Sequence, residues 1–193
     1  MTKKEIIWRE ILFQAIEKKK KQFTQKELAK KLGCSLSTVF NALKTPRQTG
    51  AIDVRARFFV LLDIEKLLTI WATQRNLGKE IIYKTRVDLP SLKIEGEMPA
   101  KIIYTAFSAY RLKFKDVPAD YDKVYIYTTD LPEIKKRFPP KKGLENLITL
   151  KADNFLVKYG TIAPLSQIYV DLWNLKEWYA RDFLEALKKK IFL

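Results

Sequence analysis

The sequence predicts an α+β protein built from two domains, residues 1–77 and residues 78–193. Apolar residues recur at helical spacing over most of the first domain, whereas short apolar runs typical of strands alternate with helical patterns in the second. A length of 193 residues also suits two domains that each bury a core of their own. We therefore expect a mainly helical first domain and a mixed α/β second domain.

The first element is a helix over residues 3–19, because aliphatic side chains recur there on one stripe opposite Lys and Glu. The residues of this stripe are Ile6, Ile7, Ile11, Leu12, Ala15 and Ile16. The lysine run from Lys18 to Lys21 marks the end of the helix, where cations suit the negative end of the helix dipole. The same run is also compatible with a purely solvated helix end.

Two further helices follow, separated by a tight turn. Thr24 and Glu27 have the spacing of a capping box, so we expect the second helix to begin there. Gly33 supplies a turn position that tolerates positive φ, and Ser35 can cap a third helix. The apolar positions expected to be buried in these two helices are Leu28, Ala29, Leu32, Val39, Ala42 and Leu43.

A connection, a two-stranded hairpin and a closing helix complete the first domain. Residues 45–50 contain the Pro and Gly of a connection, and AIDVRARFFVLL alternates before it becomes fully apolar. Arg55 and Arg57 lie two positions apart, so on an extended strand both would project to the same side. A helix from Ile64 to Asn76 then closes the domain.

The second domain alternates strand and helix patterns. The expected strands span residues 81–87, 124–128 and 146–150. The expected helices span residues 102–114 and 131–138, and two more lie between residues 165 and 192. The aromatic residues of the last helix pair are expected to be mostly core, with some at a dimer face. Asp171 in this pair is expected to hydrogen-bond within the fold.

Charge narrows the class of partner. The chain carries a formal net charge of +15 at pH 7. Residues 1–77 contain 16 basic and 7 acidic residues, a net charge of +9, whereas the longer remainder carries +6. Nucleic acid is therefore the first expected partner and anionic membrane the second, because phosphate attraction supplies the sequence-independent part of nucleic-acid binding.

Several classes of protein and site are disfavoured by what the sequence lacks. No apolar run approaches the ~20 residues of a membrane span, and the charged start MTKKEIIWRE lacks the apolar core of a signal peptide, so we expect a cytoplasmic protein. The single cysteine, Cys34, cannot form an internal disulfide. Without histidine, a zinc site is disfavoured and the commonest general base is missing. We expect no metal site and no cofactor.

The stretch QKELAKKLGCSLSTVFNALK, residues 25–44, resembles the helix-turn-helix of winged-helix transcription regulators. Ala29 stands at the helix crossing and Gly33 in the turn, whereas Ala42 replaces the larger aliphatic that is more usual, so Leu43 is expected to share its packing. The resemblance implies that the third helix enters the major groove of double-stranded DNA. The residues then expected at the DNA are Ser35, Ser37, Thr38, Asn41, Lys44, Arg47, Arg55 and Arg57.

The roles of these residues follow from their chemistry. Asn41 is the expected base reader, since its amide can pair with an adenine edge, and the hydroxyls of Ser37 and Thr38 suit phosphates or bases. Leu36 and Phe40 can meet a thymine methyl group. Two alternatives remain open. Phe40 can instead pack on the hairpin or on the first helix, and the hairpin arginines can be solubilising edge charges rather than contacts to phosphates or the minor groove.

The order of the two domains resembles that of the antitoxins of type IV abortive-infection toxin–antitoxin systems. The resemblance lies in a basic winged helix followed by YTAFSAYRLKF, a strand and QIYVDLWNLKEWYARDFLEAL. It implies a second domain with a degenerate nucleotidyltransferase fold, repression through the winged helix and a toxin-like protein partner. Regulators that read paired half-sites are dimers, so a homodimer is also expected.

A working nucleotidyltransferase is the alternative. It would show a Gly-Ser pair near the phosphates and carboxylates two apart for metal ions, but residues 105–109 contain no glycine. Asp120 and Asp122 are the only two aspartates with the DxD spacing, and their position next to Pro118 favours a turn. We therefore expect no catalytic residues and no enzymatic activity. The leading hypothesis is a sequence-specific DNA-binding regulator whose second domain serves interaction or regulation.

Overall fold

The computed structural model describes residues 1–192; Leu193, the last residue of the predicted second domain, lies outside them. The chain divides into two compact units. The first unit comprises Met1–Arg75 together with Pro164–Val170, and the second comprises Asn76–Ala163 and residues 171–192. Among residues 1–192, no helix has the length and apolar character needed to cross a membrane.

The first unit contains four helices of the N-terminal segment and one small sheet. The helices are α1 (Lys3–Glu17), α2 (Gln25–Leu32), α3 (Leu36–Gln48) and α4 (Ile64–Gln74). The strands are β1 (Gln22–Phe23), β2 (Ile52–Val54) and β3 (Phe59–Leu61), in the antiparallel order β1-β3-β2. Phe23 pairs with Phe59 and stacks on it at 5.5 Å between ring centroids. The expected two-stranded hairpin therefore has a third strand.

Helix α1 is buried over more of its surface than the aliphatic stripe predicts. Trp8 and Arg9 are fully buried, and Glu5 and Glu10 are nearly so. The helix ends at Glu17, two residues earlier than expected. A complete capping box stands at its start, where Thr2 and Glu5 bond each other's backbone N–H groups.

The capping box expected at the start of α2 forms only in part. The Thr24 hydroxyl accepts from the Glu27 N–H at 3.0 Å, so the residue does cap the helix. The Glu27 carboxylate pairs with the ammonium group of Lys20. The spacing of Thr24 and Glu27 correctly predicted where the helix begins. The Glu27 carboxylate, however, pairs with Lys20 and not with the backbone N–H of Thr24.

Helix α3 continues through residues 45–48, so the connection expected over residues 45–50 was wrong. Proline interrupts most helices because it has no N–H for the carbonyl four residues earlier. Here that carbonyl belongs to Ala42, and the indole N–H of Trp8 donates to it at 2.8 Å. This buried bond replaces the missing helical donor, and Pro46 itself is buried. Arg47 consequently lies in the last turn of the helix.

The second unit is built on a four-stranded mixed sheet. Its strands are β4 (Ile81–Thr85), β5 (Ile102–Tyr104), β6 (Val124–Thr128) and β7 (Leu147–Lys151), in the order β4-β7-β6-β5. The central pair β6 and β7 is parallel, and the outer pairs are antiparallel. The helices are α5 (Ser91–Gly96), α6 (Ala106–Phe114), α7 (Leu131–Arg137), α8 (Leu165–Trp173) and α9 (Ala180–Phe192); residues 165–170 of α8 belong to the first unit.

The helix expected over residues 102–114 is a strand followed by a helix. Ile102 pairs with Thr128 across the sheet, and the chain turns at Ala106, whose φ of 50° is incompatible with continuous regular structure. Helix α5 was not expected. The expected internal role of Asp171 is confirmed: its carboxylate is fully buried and accepts from Thr105 Oγ1 at 2.7 Å and from the Tyr127 hydroxyl at 2.8 Å.

Two faces of this sheet are covered differently. One face carries the apolar cluster of Ile94, Ile102, Val124, Ile126, Ile134, Phe138 and Leu147. Aromatic side chains meet on the other side, where Phe107 lies 4.7 Å from Tyr179 and 5.0 Å from Phe183 between ring centroids. Much of the aromatic content of the last helix pair is thus core, although Trp178 is 78% exposed.

Candidate nucleic-acid interface

The turn between α2 and α3 fixes the position of α3. Gly33 ends α2 with φ 57° and ψ 40°, a left-handed conformation in which any side chain would be strained. The Cys34 N–H then bonds the Ala29 carbonyl at 3.0 Å. Ser35 caps α3 by accepting from the Thr38 N–H at 3.2 Å. Helix, tight turn and capped helix are all formed as the sequence predicts.

One side of α3 is buried and the other faces solvent. Val39, Ala42 and Leu43 are at most 3% exposed and anchor the helix. We call the opposite side the outer face of α3; it consists of the exposed residues Leu36, Ser37, Phe40, Asn41, Lys44 and Arg47. These positions recur at three or four residues, as one side of a helix requires.

Apolar side chains on the outer face of α3 are unusually open. Leu36 is 54% exposed and Phe40 is 48% exposed. About half of the Phe40 side chain is therefore open to solvent and to a ligand. Its ring lies 5.5 Å from the ammonium nitrogen of Lys44, a cation–π geometry that keeps the lysine on this face.

The expected DNA contacts divide into occupied and available groups. Ser35 Oγ lies 2.9 Å from both Ser37 Oγ and Thr38 Oγ1, so these hydroxyls are engaged with one another at the helix cap. The amide of Asn41 has no hydrogen-bond partner among residues 1–192 and is exposed. Asn41 and Lys44 are thus the polar groups of the outer face that are most available to a ligand.

The hairpin turn falls at the two arginines, which corrects their expected placement on an extended strand. The Arg55 N–H donates to the Phe58 carbonyl at 2.8 Å, and both Arg55 and Arg57 lie in the turn. Arg55 Nε bonds Asp53 Oδ2 at 3.0 Å. Arg57 is exposed and has no ion-pair partner within the described part of the chain. The tip of the hairpin therefore presents one tethered and one untethered guanidinium.

A cleft of about 250 Å³ lies between the start of α2, the start of α3 and the hairpin. Its lining includes Gln25, Lys26, Leu36 and the two hairpin arginines. Free backbone N–H groups at a helix start attract anions, and here a lysine and arginines surround them. Sequence reasoning missed Gln25 and Lys26, although their position directly after the cap of α2 is a signal that could have identified them.

The two aspartates considered as metal ligands, Asp120 and Asp122, lie outside the helices and strands. Asp120 and Asp122 lie in the irregular segment between α6 and β6. Asp122 accepts from the Tyr179 hydroxyl at 2.5 Å, and burial together with this bond raises the pKa of Tyr179. Nowhere in residues 1–192 do three His, Cys, Asp or Glu side chains come together as metal ligands would.

Comparison with known proteins identifies one region. A family model for a homeodomain-like domain matches residues 9–55, which run from α1 to the hairpin turn and include all of α2 and α3. No curated protein and no solved structure matches the chain. The first unit therefore carries a homeodomain-like helix-turn-helix. The match gives no support to the resemblance to type IV antitoxins or to nucleotidyltransferases.

Proposed function

We propose that this protein is a sequence-specific DNA-binding regulator that inserts α3 into the major groove of double-stranded DNA. The observation that carries the proposal is the outer face of α3, a row of exposed and chemically diverse side chains. The opposite side of the same helix is buried in the first unit. A homeodomain-like match over residues 9–55 supports the same use of this helix.

Direct reading of bases would fall to the middle of α3. An asparagine amide can donate to and accept from one adenine edge, and Asn41 has no competing partner among the described residues. Lys44 can donate to guanine or to a phosphate. Leu36 and Phe40 supply apolar surface for thymine methyl groups, whose burial would offset the cost of exposing them in the free protein.

Contacts to the DNA backbone would come from the elements around α3. The hairpin would act as the wing, with Arg57 the freer of its two guanidinium groups. Lys26 and the first N–H groups of α2 line the cleft beside it and suit one phosphate. Arg47 extends the basic surface at the other end of α3.

Narrower forms of this proposal concern assembly. We propose a homodimer that reads two half-sites, and an antitoxin-like repressor that also binds a toxin-like protein through its second unit. Both rest on the sequence resemblance alone. Light scattering of the full chain with and without its selected duplex tests the first: two protomers per duplex are expected, and one protomer per duplex contradicts it.

Selection from a random duplex pool tests the main proposal. The full chain is expected to enrich one sequence and to bind it at least about a thousandfold more tightly than a scrambled duplex of equal length at physiological salt. Fluorescence anisotropy titrations of both duplexes give this ratio. If no sequence is enriched, or if the two duplexes bind equally, the protein is not a sequence-specific regulator.

We propose no catalytic role for the second unit. The alternative, nucleotidyl transfer, needs carboxylates that hold metal ions at the phosphates. Asp122 is instead bonded to Tyr179. Incubation of the full chain with magnesium, radiolabelled nucleoside triphosphates and RNA or protein acceptors is expected to give no incorporation. Incorporation that is lost in Asp122→Ala would establish the enzyme.

A further inference from the structure

A second cleft lies on the sheet of the second unit. Strand register places Lys84, Ile148 and Tyr125 side by side across β4, β7 and β6, so their side chains share one face of the sheet. The segment between α8 and α9 contributes Leu175, Lys176 and Glu177 to the same cleft, whose volume is about 360 Å³. Pockets that bind small molecules range from about 300 to 1,000 Å³.

Glu177 places a charged group in this cleft. Its Oε1 accepts from Lys123 Nζ at 2.6 Å and from the Tyr125 hydroxyl at 2.9 Å. The Glu177 side chain is only 10% exposed. Its second carboxylate oxygen, Oε2, is buried and has no hydrogen-bond partner among residues 1–192. Burial raises the pKa of Glu177, but Lys123, its own backbone amide and Tyr125 together keep that pKa below the ordinary value.

An ionised carboxylate oxygen with no donor is costly inside a protein. An apolar side chain at position 177 would avoid this cost. Position 177 instead carries a carboxylate, which Lys123 and Tyr125 orient. Because Glu177 lines the cleft, a small movement of its side chain would expose this oxygen as an acceptor for an N–H group of a ligand. It can therefore define one end of a binding site.

The rest of the lining suits a ligand of mixed character. Lys84 and Lys176 line the cleft, are exposed and form no salt bridge within the described residues. Lys123, Glu145 and Glu177 line the cleft as well, so three ammonium groups face two carboxylates, and the lining still favours an anion over a purely cationic ligand. Ile148 and Leu175 add apolar walls.

From this arrangement we propose that the cleft binds a small molecule that carries an N–H donor and an anionic group. The N–H group donates to Glu177 Oε2, the anion lies against Lys84 and Lys176, and the apolar body rests on Ile148. A free amino acid and a ribonucleotide both have this chemistry. The proposal concerns the second unit only and does not depend on DNA binding by the first.

Isothermal titration of the full chain distinguishes the two sources. The probes are the twenty amino acids and the four ribonucleoside monophosphates, with inorganic phosphate and butylamine as ligands that carry only one of the two features. At least one amino acid or nucleotide is expected to bind with a Kd below about 1 mM. Phosphate and butylamine are expected to bind at least about tenfold more weakly.

Variants locate the binding. Glu177→Gln and, separately, Lys84→Met are expected to weaken the best probe at least about tenfold, whereas Glu185→Gln on the exposed side of α9 leaves it unchanged. Lys84→Met keeps the test decisive if Glu177→Gln does not fold. The proposal is overturned if no amino acid or nucleotide binds, if phosphate alone binds as tightly as the best probe, or if the folded cleft variants bind like the original chain.

Discussion

Helices α1 and α3 both carry polar side chains, and the two helices use them in opposite ways. Glu5 and Glu10 on α1 are buried and hydrogen-bonded, whereas Asn41 and Lys44 on α3 face solvent. Buried polar groups must find partners within the protein, so those of α1 hold the unit together. Exposed polar groups can hydrogen-bond to water and therefore need no partner within the protein. The contrast separates residues that build the helix-turn-helix from residues that can act through it.

The network around Glu5 shows what α1 contributes. Its Oε1 accepts from the Arg75 guanidinium at 3.1 Å and from the Trp71 indole N–H at 3.3 Å. Its Oε2 accepts from the Thr2 N–H at 2.9 Å. Burial raises the pKa of Glu5, but the Thr2 bonds and the charge of Arg75 keep the net pKa below its usual range.

Removal of the Glu5 carboxylate is expected to have the largest effect on stability. Glu5→Ala leaves the buried Arg75 charge without this carboxylate, and breaking a buried pair in this way costs about 3–5 kcal/mol of unfolding free energy. Urea unfolding followed by circular dichroism measures the loss. Glu65→Ala on the exposed side of α4 is the control and should cost less than about 0.5 kcal/mol. Equal losses would mean that Glu5 is no more structural than a surface carboxylate.

Loss of the Trp8 indole N–H tests how α3 passes through Pro46. Trp8→Phe removes the donor to the Ala42 carbonyl and should destabilise the protein by about 1–3 kcal/mol. In a Pro46→Ala background the helix supplies its own donor to that carbonyl, so the same change should cost about 1 kcal/mol less. A double-mutant cycle by urea unfolding measures the difference. Strict additivity would show that the indole does not compensate for the proline.

On α3 the expected effects shift from stability to binding. Asn41→Ala should weaken binding to the selected duplex by about 1–3 kcal/mol, with scrambled duplex and unfolding free energy nearly unchanged, because only base reading is lost. Asn154→Ala, a change of the same type at an exposed position of the second unit, is the matched control and should alter neither affinity. Equal weakening on selected and scrambled DNA would assign Asn41 to the backbone instead.

The smallest expected effect concerns the hairpin tip. Arg57→Ala should weaken binding to all duplexes and lower the slope of log affinity against log salt by about one unit, the value for one lost phosphate contact. Arg55→Ala should lower it less, because Asp53 already holds this guanidinium in the free protein. Titrations from low to physiological salt give the slopes. An unchanged slope in Arg57→Ala would show that the hairpin points away from the DNA.

The helix-turn-helix could be predicted from the sequence because its signals are local. Thr24, Gly33 and Ser35 act through atoms within a few residues of themselves. The outer face of α3 then follows from helical periodicity alone, once its buried side is known. This is why Asn41 and Lys44 could be identified as exposed candidates before the fold was known.

Elements that depend on distant partners could not be predicted. Strands β1 and β5 have two and three residues, and only pairing with β3 and β6 makes them strands. The continuation of α3 through Pro46 depends on Trp8, which lies more than thirty residues earlier. The cleft at Glu177 likewise depends on how strands β4, β7 and β6 pair. Glu177 lies in the segment between α8 and α9, and its sequence position does not indicate that pairing.

Photo-cross-linking tests the central claim most directly. The full chain is bound to its selected duplex carrying a photoreactive thymine analogue at each thymine in turn, and the cross-linked peptides are identified by mass spectrometry. We expect cross-links in residues 36–44 from major-groove positions. Excess unlabelled selected duplex should remove these cross-links, whereas the same excess of scrambled duplex should leave them in place. Cross-links confined to the second unit, or to helix α1, would contradict the assignment of α3 as the helix that reads DNA.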